Sequence, residues 1–531
     1  MKTVNLSKII QLVESGNYSK AEIEVKDLIK IQPNNFMLNK IYGVTLLAQQ
    51  KYLLSILAFE KCYNFKNDDY DVNVNLSHLF SKTQDYRKSL LFSKRSISVD
   101  EDRPEAYQNM AECYLNLRKF NEAEKYILIS IQKRGGLESE ILLNFHDTII
   151  LYGNIILAKK ENKKFCEFAF KILDKGILIE QLLISLLRID IKNIKKEYLS
   201  KMYNILENIN SITPPKSRFL KESNMNFILA EYFQNSDNDK SEKYYIKANK
   251  IIASLQRGSL FERQKRIIKI INNFKNYKIS ERSPKISNDK GNGLIFIIGM
   301  PRSGTTLVES IVSTADNCVA GGEKLFFSLA CNELLREENS QEFNTSLFQK
   351  LGDQYLDTIE IQRNGNKFFI DKLPENFLYF EYIKKALPGA KFLHVYRDPW
   401  DNAISLFKQN YAFNLFYSSS FFGIALEYAN YEHIVDYWRK SNEQNSFMDI
   451  KYEELVSNTE DTAKRIWNYC GLAGKYDEKK RTDFFSLTAS KQQVVKGIYQ
   501  TSMQKNDFEV YKSKFFEDLN QQRKFWLESS S

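Results

Sequence analysis

"GLIFIIGMPRSGTTLVESI", Gly293–Ile311, is the stretch on which the fold turns. Its LIFIIG run is apolar without interruption, which predicts a strand buried on both faces of a parallel sheet. Gly299, Pro301, Ser303 and Gly304 then supply turn chemistry. TLVESIVST, from Thr306, reads as the helix that follows. A strand, a glycine-rich turn and a helix N-terminus together present backbone N–H groups to an anion.

Upstream of this stretch the sequence repeats. Tyr18, Tyr52, Tyr86 and Phe120 stand 34 residues apart, and Ala21, Ser55, Ser89 and Ala123 keep the same period. Small residues at that position let two helices approach closely, so the pattern predicts antiparallel helix pairs stacked as a solenoid. "GNYSKA" at Gly16–Ala21 recurs as "GNIILA" at Gly153–Ala158, one residue out of register, and reads as a degenerate copy. The period is lost over about residues 160–220 and returns in a last copy, Asn226–Ile251. "KNYKISERSPKISNDKGNG", Lys275–Gly293, is polar and rich in turn formers. The expected division is a helical repeat region over 1–275, a linker over 276–292 and an α/β domain over 293–531.

Composition sets the outer bounds. With 531 residues, 43% hydrophobic and 27% charged, the chain suits two or three folded domains. Net charge is +10, a modest excess at this length, and does not predict nucleic-acid binding. The six cysteines form no C-x-x-C pair, and the four histidines no H-E-x-x-H pattern, so free thiols and no protein-bound metal are expected. His394 lies in an apolar run and reads as a core residue. No secretory-type apolar segment and no run of membrane-spanning length is present, so a cytoplasmic protein without a membrane span is expected.

The turn departs from a familiar phosphate loop. Gly299 and Gly304 have the spacing of G-x-x-x-x-G-K-[ST], and Thr306 fits its last position, but Thr305 stands in place of lysine. Such a loop handles a terminal triphosphate poorly, while Arg302 brings a cation from another direction. "GMPRSGTTL" resembles the 5'-phosphosulfate loop of sulfotransferases, which use 3'-phosphoadenosine-5'-phosphosulfate (PAPS) and need no metal. By that resemblance Pro301, Arg302, Ser303, Gly304, Thr305 and Thr306 hold the donor. In "KFLHVYRDPWDNAISLFKQNY", Arg397 and Ser405 have the family's spacing for binding the 3'-phosphate; a guanidinium fork suits a phosphate. "AGGEKLFF" places Glu323 where tyrosylprotein sulfotransferases have their proposed base, and "FFIDKLPENFLYF" places Lys372 at the family lysine near the sulfuryl group. Glu323, Arg302 and Lys372 are thus the implied catalytic set. Tyr452 matches the tyrosine near adenine, and Ser490 and Lys505 match late donor contacts. Asn506 and Gly497 depart from the residues many relatives have there.

The first part resembles the tetratricopeptide repeat, best in "AYQNMAECYLNLRKFNEAEKYILIS", Ala106–Ser130. The resemblances imply a repeat solenoid followed by a phosphate-loop-like sulfotransferase domain. The implied reaction is sulfuryl transfer from PAPS to an acceptor hydroxyl on a protein, glycan or small molecule, protein tyrosine being the class of the nearest motifs, with a peptide or protein partner on the repeats. A phosphotransferase and a repeat-based binding protein with an inactive second domain stay open. A chain starting near Ser280 is expected to keep donor binding.

Overall fold

The computed structural model describes residues 6–212, 215–255, 260–275, 286–336, 344–411, 415–441, 447–482, 484 and 507–530. By compactness the chain divides into Met1–Ile177 and Leu178–Ser531.

The first unit is built of consecutive helix pairs. Phe36–Ala48 packs with Tyr52–Phe65, Tyr70–Lys82 with Tyr86–Val99, and Glu105–Asn116 with Phe120–Lys133. The periodic aromatic residues each open the second helix of a pair. The small residues behind them mark the contact between the two helices: Ala21 and Ala123 are fully buried. Ser55 Oγ donates to the Gly43 carbonyl and Ser89 Oγ to the Ser77 carbonyl, both at 2.7 Å. The turns share one left-handed residue, at Gly16, Gln50, Gln84 and Arg118, with φ of 75°, 58°, 64° and 58°. The fifth such turn is at Lys160, φ 62°. "GNIILA" is therefore no turn: Gly153–Ala158 lies inside the helix His146–Ala158. A short 3₁₀ turn, Ile141–Asn144, lengthens the preceding connection and shifts the register.

The second unit starts with five helices: Glu180–Ile189, Lys196–Glu207, Pro215–Phe233, Asn238–Leu255 and Glu262–Lys275. A five-stranded parallel sheet follows, made of β1 (Leu294–Gly299), β2 (Cys318–Ala320), β3 (Phe368–Asp371), β4 (Lys391–Tyr396) and β5 (Met448–Lys451) in the order β2-β3-β1-β4-β5. Every residue of β1 is buried. Ile295 and Ile297 face one core layer, with Val308 and Ile311 of the helix Thr305–Val312. Leu294, Phe296 and Ile298 face the other, which contains the long helix Phe421–Ser441. That layer also takes in Phe227, Tyr245, Ile267, Ile270 and Ile271 from the upstream helices. Residues expected to belong to the repeat region thus pack into the core beneath the sheet.

Candidate active site

Each of the five strands delivers one element of the site at its C-terminal end, with the loop after the central strand between two groups of side chains. Carboxyl ends around a switch in strand order form the usual ligand crevice of a parallel sheet. β1 leads into the loop. A Cβ at Gly299 would lie 2.1 Å from the Val395 carbonyl oxygen, so β1 leaves the sheet against β4 only with glycine there. Gly304 has φ 105°, and a Cβ on it would meet the Tyr452 ring at 2.4 Å. Between them Arg302 takes φ 70°, a left-handed conformation unusual for a residue with a side chain. Asn402 Nδ2 ties the loop down through the Pro301 carbonyl at 3.0 Å.

On one side are the ends of β2 and β3. Glu323 follows Gly321 and Gly322, and Lys372 follows Asp371 directly. Gly321 N–H donates to the Ile370 carbonyl at 2.7 Å and Lys372 N–H to the Gly322 carbonyl at 2.9 Å, which sets the two turns side by side. Lys372 Nζ then reaches Glu323 Oε1 at 2.5 Å; the lysine is 1% exposed and the glutamate 41%. Behind this pair Asp371 accepts from Tyr355 OH at 2.8 Å. Burial pushes the Asp371 carboxyl up to about 7, against the Tyr355 hydrogen bond and the nearby Lys324 cation.

On the other side are the ends of β4 and β5. Arg397 is 8% exposed, and its guanidinium lies 4.6 Å from the centroid of the Tyr452 ring. Asp398 caps the helix Pro399–Phe407 through the Trp400 and Asp401 N–H groups. That helix carries Ser405, whose Oγ accepts from Arg302 Nε at 3.1 Å. Burial, and then Arg397 and Arg188, lower the affinity of the Arg302 guanidinium for its proton, with Tyr411 acting the other way. Arg397 and Arg188 are thus the cations that act on Arg302; Arg397 lies 3.7 Å from Asp401, and Arg188 is paired with Glu231 at 2.7 Å.

The structure brings together Pro301, Arg302, Ser303, Gly304, Thr305, Thr306, Glu323, Lys372, Arg397, Ser405 and Tyr452. Ser490 and Lys505 lie outside the described residues. Four residues near the site were not singled out from the sequence. Tyr411 is pushed up to about 12 chiefly by burial, with the Arg302 cation opposing and the Glu323 and Glu375 carboxylates adding to the shift. Tyr428 OH donates to the Arg397 carbonyl at 2.6 Å. Arg188 and Arg263 come from the upstream helices. No motif marks any of these four; only the pairing across the fold does.

Residues 295–478 match the sulfotransferase family, and residues 104–128 match the tetratricopeptide repeat. The chain joins tetratricopeptide repeats to a sulfotransferase domain. An uncharacterized protein of Aquifex aeolicus is 29% identical over 247 residues, 43% of this chain and 32% of that protein. The matched part spans about a third of that relative. Among solved structures, the sulfotransferase domain of the Synechococcus PCC 7002 olefin synthase is 14% identical with a TM-score of 0.29, covering 48% of this chain and 98% of that one. Sulfotransferase STF9 from Mycobacterium avium is 11% identical with a TM-score of 0.27, covering 59% and 96%.

One feature of the loop suits a bound anion. The Ser303 hydroxyl is 1% exposed and has no hydrogen-bond partner among the described residues, a cost that a bound anion would remove. Among the described residues no cluster of three His, Cys, Asp or Glu side chains could hold a metal ion. Nor is any helix there long and apolar enough to cross a membrane.

Proposed function

We propose that this protein transfers a sulfuryl group from PAPS to an acceptor hydroxyl, protein tyrosine included. The observation that carries the reading is the division of the site by the central loop. The Arg397–Tyr452 pair lies on one side and the Lys372–Glu323 pair on the other, and Arg302 takes the place of the missing loop lysine. PAPS, when bound, supplies the sulfuryl group and departs as adenosine 3',5'-bisphosphate.

The loop N–H groups, the Ser303 hydroxyl and Thr305–Thr306 at the helix start are suited to hold the 5'-phosphosulfate. Arg397 is suited to grip the 3'-phosphate, and Tyr452 to border the adenine. In the structure Ser405 serves Arg302 instead of Arg397, so Ser405 also aims the loop cation. As the acceptor oxygen bonds to sulfur and the bond from sulfur to the 5'-phosphate oxygen breaks, Glu323 takes the acceptor proton. Arg302 and Lys372 stabilise the charge that appears on the departing phosphate. The Lys372–Glu323 ion pair orients the carboxylate before the acceptor arrives. By sequence the units are 1–275, 276–292 and 293–531, although Leu178–Lys275 belong to the same compact unit as the sheet. The proposed compartment is the cytoplasm, in keeping with six free cysteines.

Calorimetry tests the donor assignment. Adenosine 3',5'-bisphosphate is expected to bind more tightly than ATP with magnesium, and Arg397→Ala to weaken it by a few kcal/mol, at ~1.5–3 for each charged hydrogen bond lost. Preference for ATP would favour phosphoryl transfer, and an unchanged Arg397→Ala affinity would remove the 3'-phosphate clamp.

A further inference from the structure

Arg263 lies outside the sulfotransferase match, in the helix Glu262–Lys275, yet its guanidinium is deep in the second unit. Its Nε donates to Glu427 Oε1 at 2.8 Å, and its Nη2 to Glu375 Oε1 at 2.9 Å. Glu427, 2% exposed, lies on the helix Phe421–Ser441. Glu375 belongs to the 3₁₀ turn Pro374–Tyr379, which begins one residue after Lys372 at its N-cap Leu373 and is closed by the Asn376 N–H to Leu373 carbonyl bond at 2.9 Å. One guanidinium therefore fastens the Lys372 turn to a core helix. We infer that Arg263 is a positioning residue for sulfuryl transfer, holding the turn that aims Lys372 and keeping two carboxylates away from an anion site; the inference rests on the function proposed above.

The chemistry follows from the charge balance. Arg263 faces two carboxylates, so its loss would leave both without that partner beside a site meant for a polyanion. Their other titratable neighbours are each other and Tyr379, Tyr411 and Tyr417. Burial raises the Glu427 carboxyl, and Arg263 opposes that shift. Without Arg263 its affinity for a proton would rise further. Glu375 stands three residues after Lys372, whose Nζ reaches Glu323, and both Glu375 and Glu323 act electrostatically on Tyr411. Arg188, paired with Glu231 at 2.7 Å, similarly brings upstream charge close to Arg302.

The test uses the full chain and adenosine 3',5'-bisphosphate as the probe, with calorimetry at pH 8 and pH 5.5. Arg263→Met is expected to weaken binding at least tenfold relative to wild type at pH 8. The deficit should shrink at pH 5.5, where the Glu427 carboxyl, raised by burial and no longer opposed by Arg263, takes up a proton. Arg263→Lys should retain most of the affinity, and Arg263→Met with Glu375→Gln should regain part of it at pH 8. Adding Arg263→Met to Lys372→Met should cost less than Arg263→Met alone, because the clamp acts through that lysine. A deficit equal at both pH values, without rescue by Glu375→Gln and additive with Lys372→Met, would show a merely structural residue and overturn the inference. Wild-type affinity in Arg263→Met would overturn it as well. If Arg263→Met does not fold, as judged by circular dichroism, Glu375→Ala decides, because it cuts the tie between Arg263 and the turn: weakened binding is expected, and wild-type affinity in that variant overturns the inference. A wild-type chain that does not bind the bisphosphate refutes the proposed function itself, and the inference with it.

Discussion

Glu323 and Lys372 show what a single residue can be asked to do at this site. The lysine is buried and the glutamate is its half-exposed partner, so the carboxylate is held in place while one side stays open to an acceptor. Glu323→Gln keeps the size and polarity but removes the base. General-base catalysis contributes roughly 10²–10⁴-fold, and kcat on a high-pKa alcohol is expected to fall by that order, with bisphosphate affinity little changed. An ionised phenol has no proton to give up and should lose less. Full activity on the alcohol would move the base elsewhere, and collapse of bisphosphate binding would make Glu323 a residue that shapes the site. The loop glycines are constrained in another way. Gly299 and Gly304 are fixed by the Val395 carbonyl and the Tyr452 ring, neighbours about a hundred or more residues away, so their need for glycine is tertiary as well as local.

At the scale of elements, the repeats and the sheet are encoded differently. The helix pairs of the first unit are local, each joined by a short turn, so their 34-residue period is visible in the chain. The turns carry that period in backbone conformation instead of residue type. The same left-handed position holds Gly16, Gln50, Gln84 and Arg118, so no sequence motif marks it. A left-handed residue with a Cβ costs ~1–2 kcal/mol. Gln50 is exposed, so Gln50→Gly should relieve that cost and lose part of the gain to unfolded-state entropy. A net gain of about 0.5–1 kcal/mol, read as a higher Tm, is expected; a lower Tm would mean that the glutamine side chain stabilises the turn. The parallel strands, by contrast, pair only across long crossovers. Their burial was legible in LIFIIG, and their order β2-β3-β1-β4-β5 was not.

For the molecule as a whole, the question is where the catalytic unit starts. The sequence division at the linker follows the repeats, whereas compactness groups Leu178–Lys275 with the sheet. Ile267 and Ile270 are fully buried and Ile271 is 5% exposed in the core beneath the sheet. At ~1.5–3 kcal/mol for each buried side chain, their removal alone approaches the ~5–15 kcal/mol that stabilises a whole domain. A chain starting near Ser280 is therefore expected to be insoluble or to lose bisphosphate binding, while one starting at Leu178 keeps it. Full affinity in the shorter chain would show that these helices only decorate the sulfotransferase domain.

The sequence by itself determined the repeat architecture, the buried strand and its anion loop, and the set of cations and acids attached to the strands. Those features are local, set by periods, turn residues and short spacings that need no partner elsewhere in the chain. Only the tertiary structure decided that Arg302 is aimed by Ser405, that Tyr428 supports Arg397, and that Arg263 from upstream of the linker clamps the Lys372 turn. An isolated arginine in a helix has the same local signal whether it meets water or a buried carboxylate. What distinguishes the two is the partner, and the partner is set by packing between segments 31 to 164 residues apart.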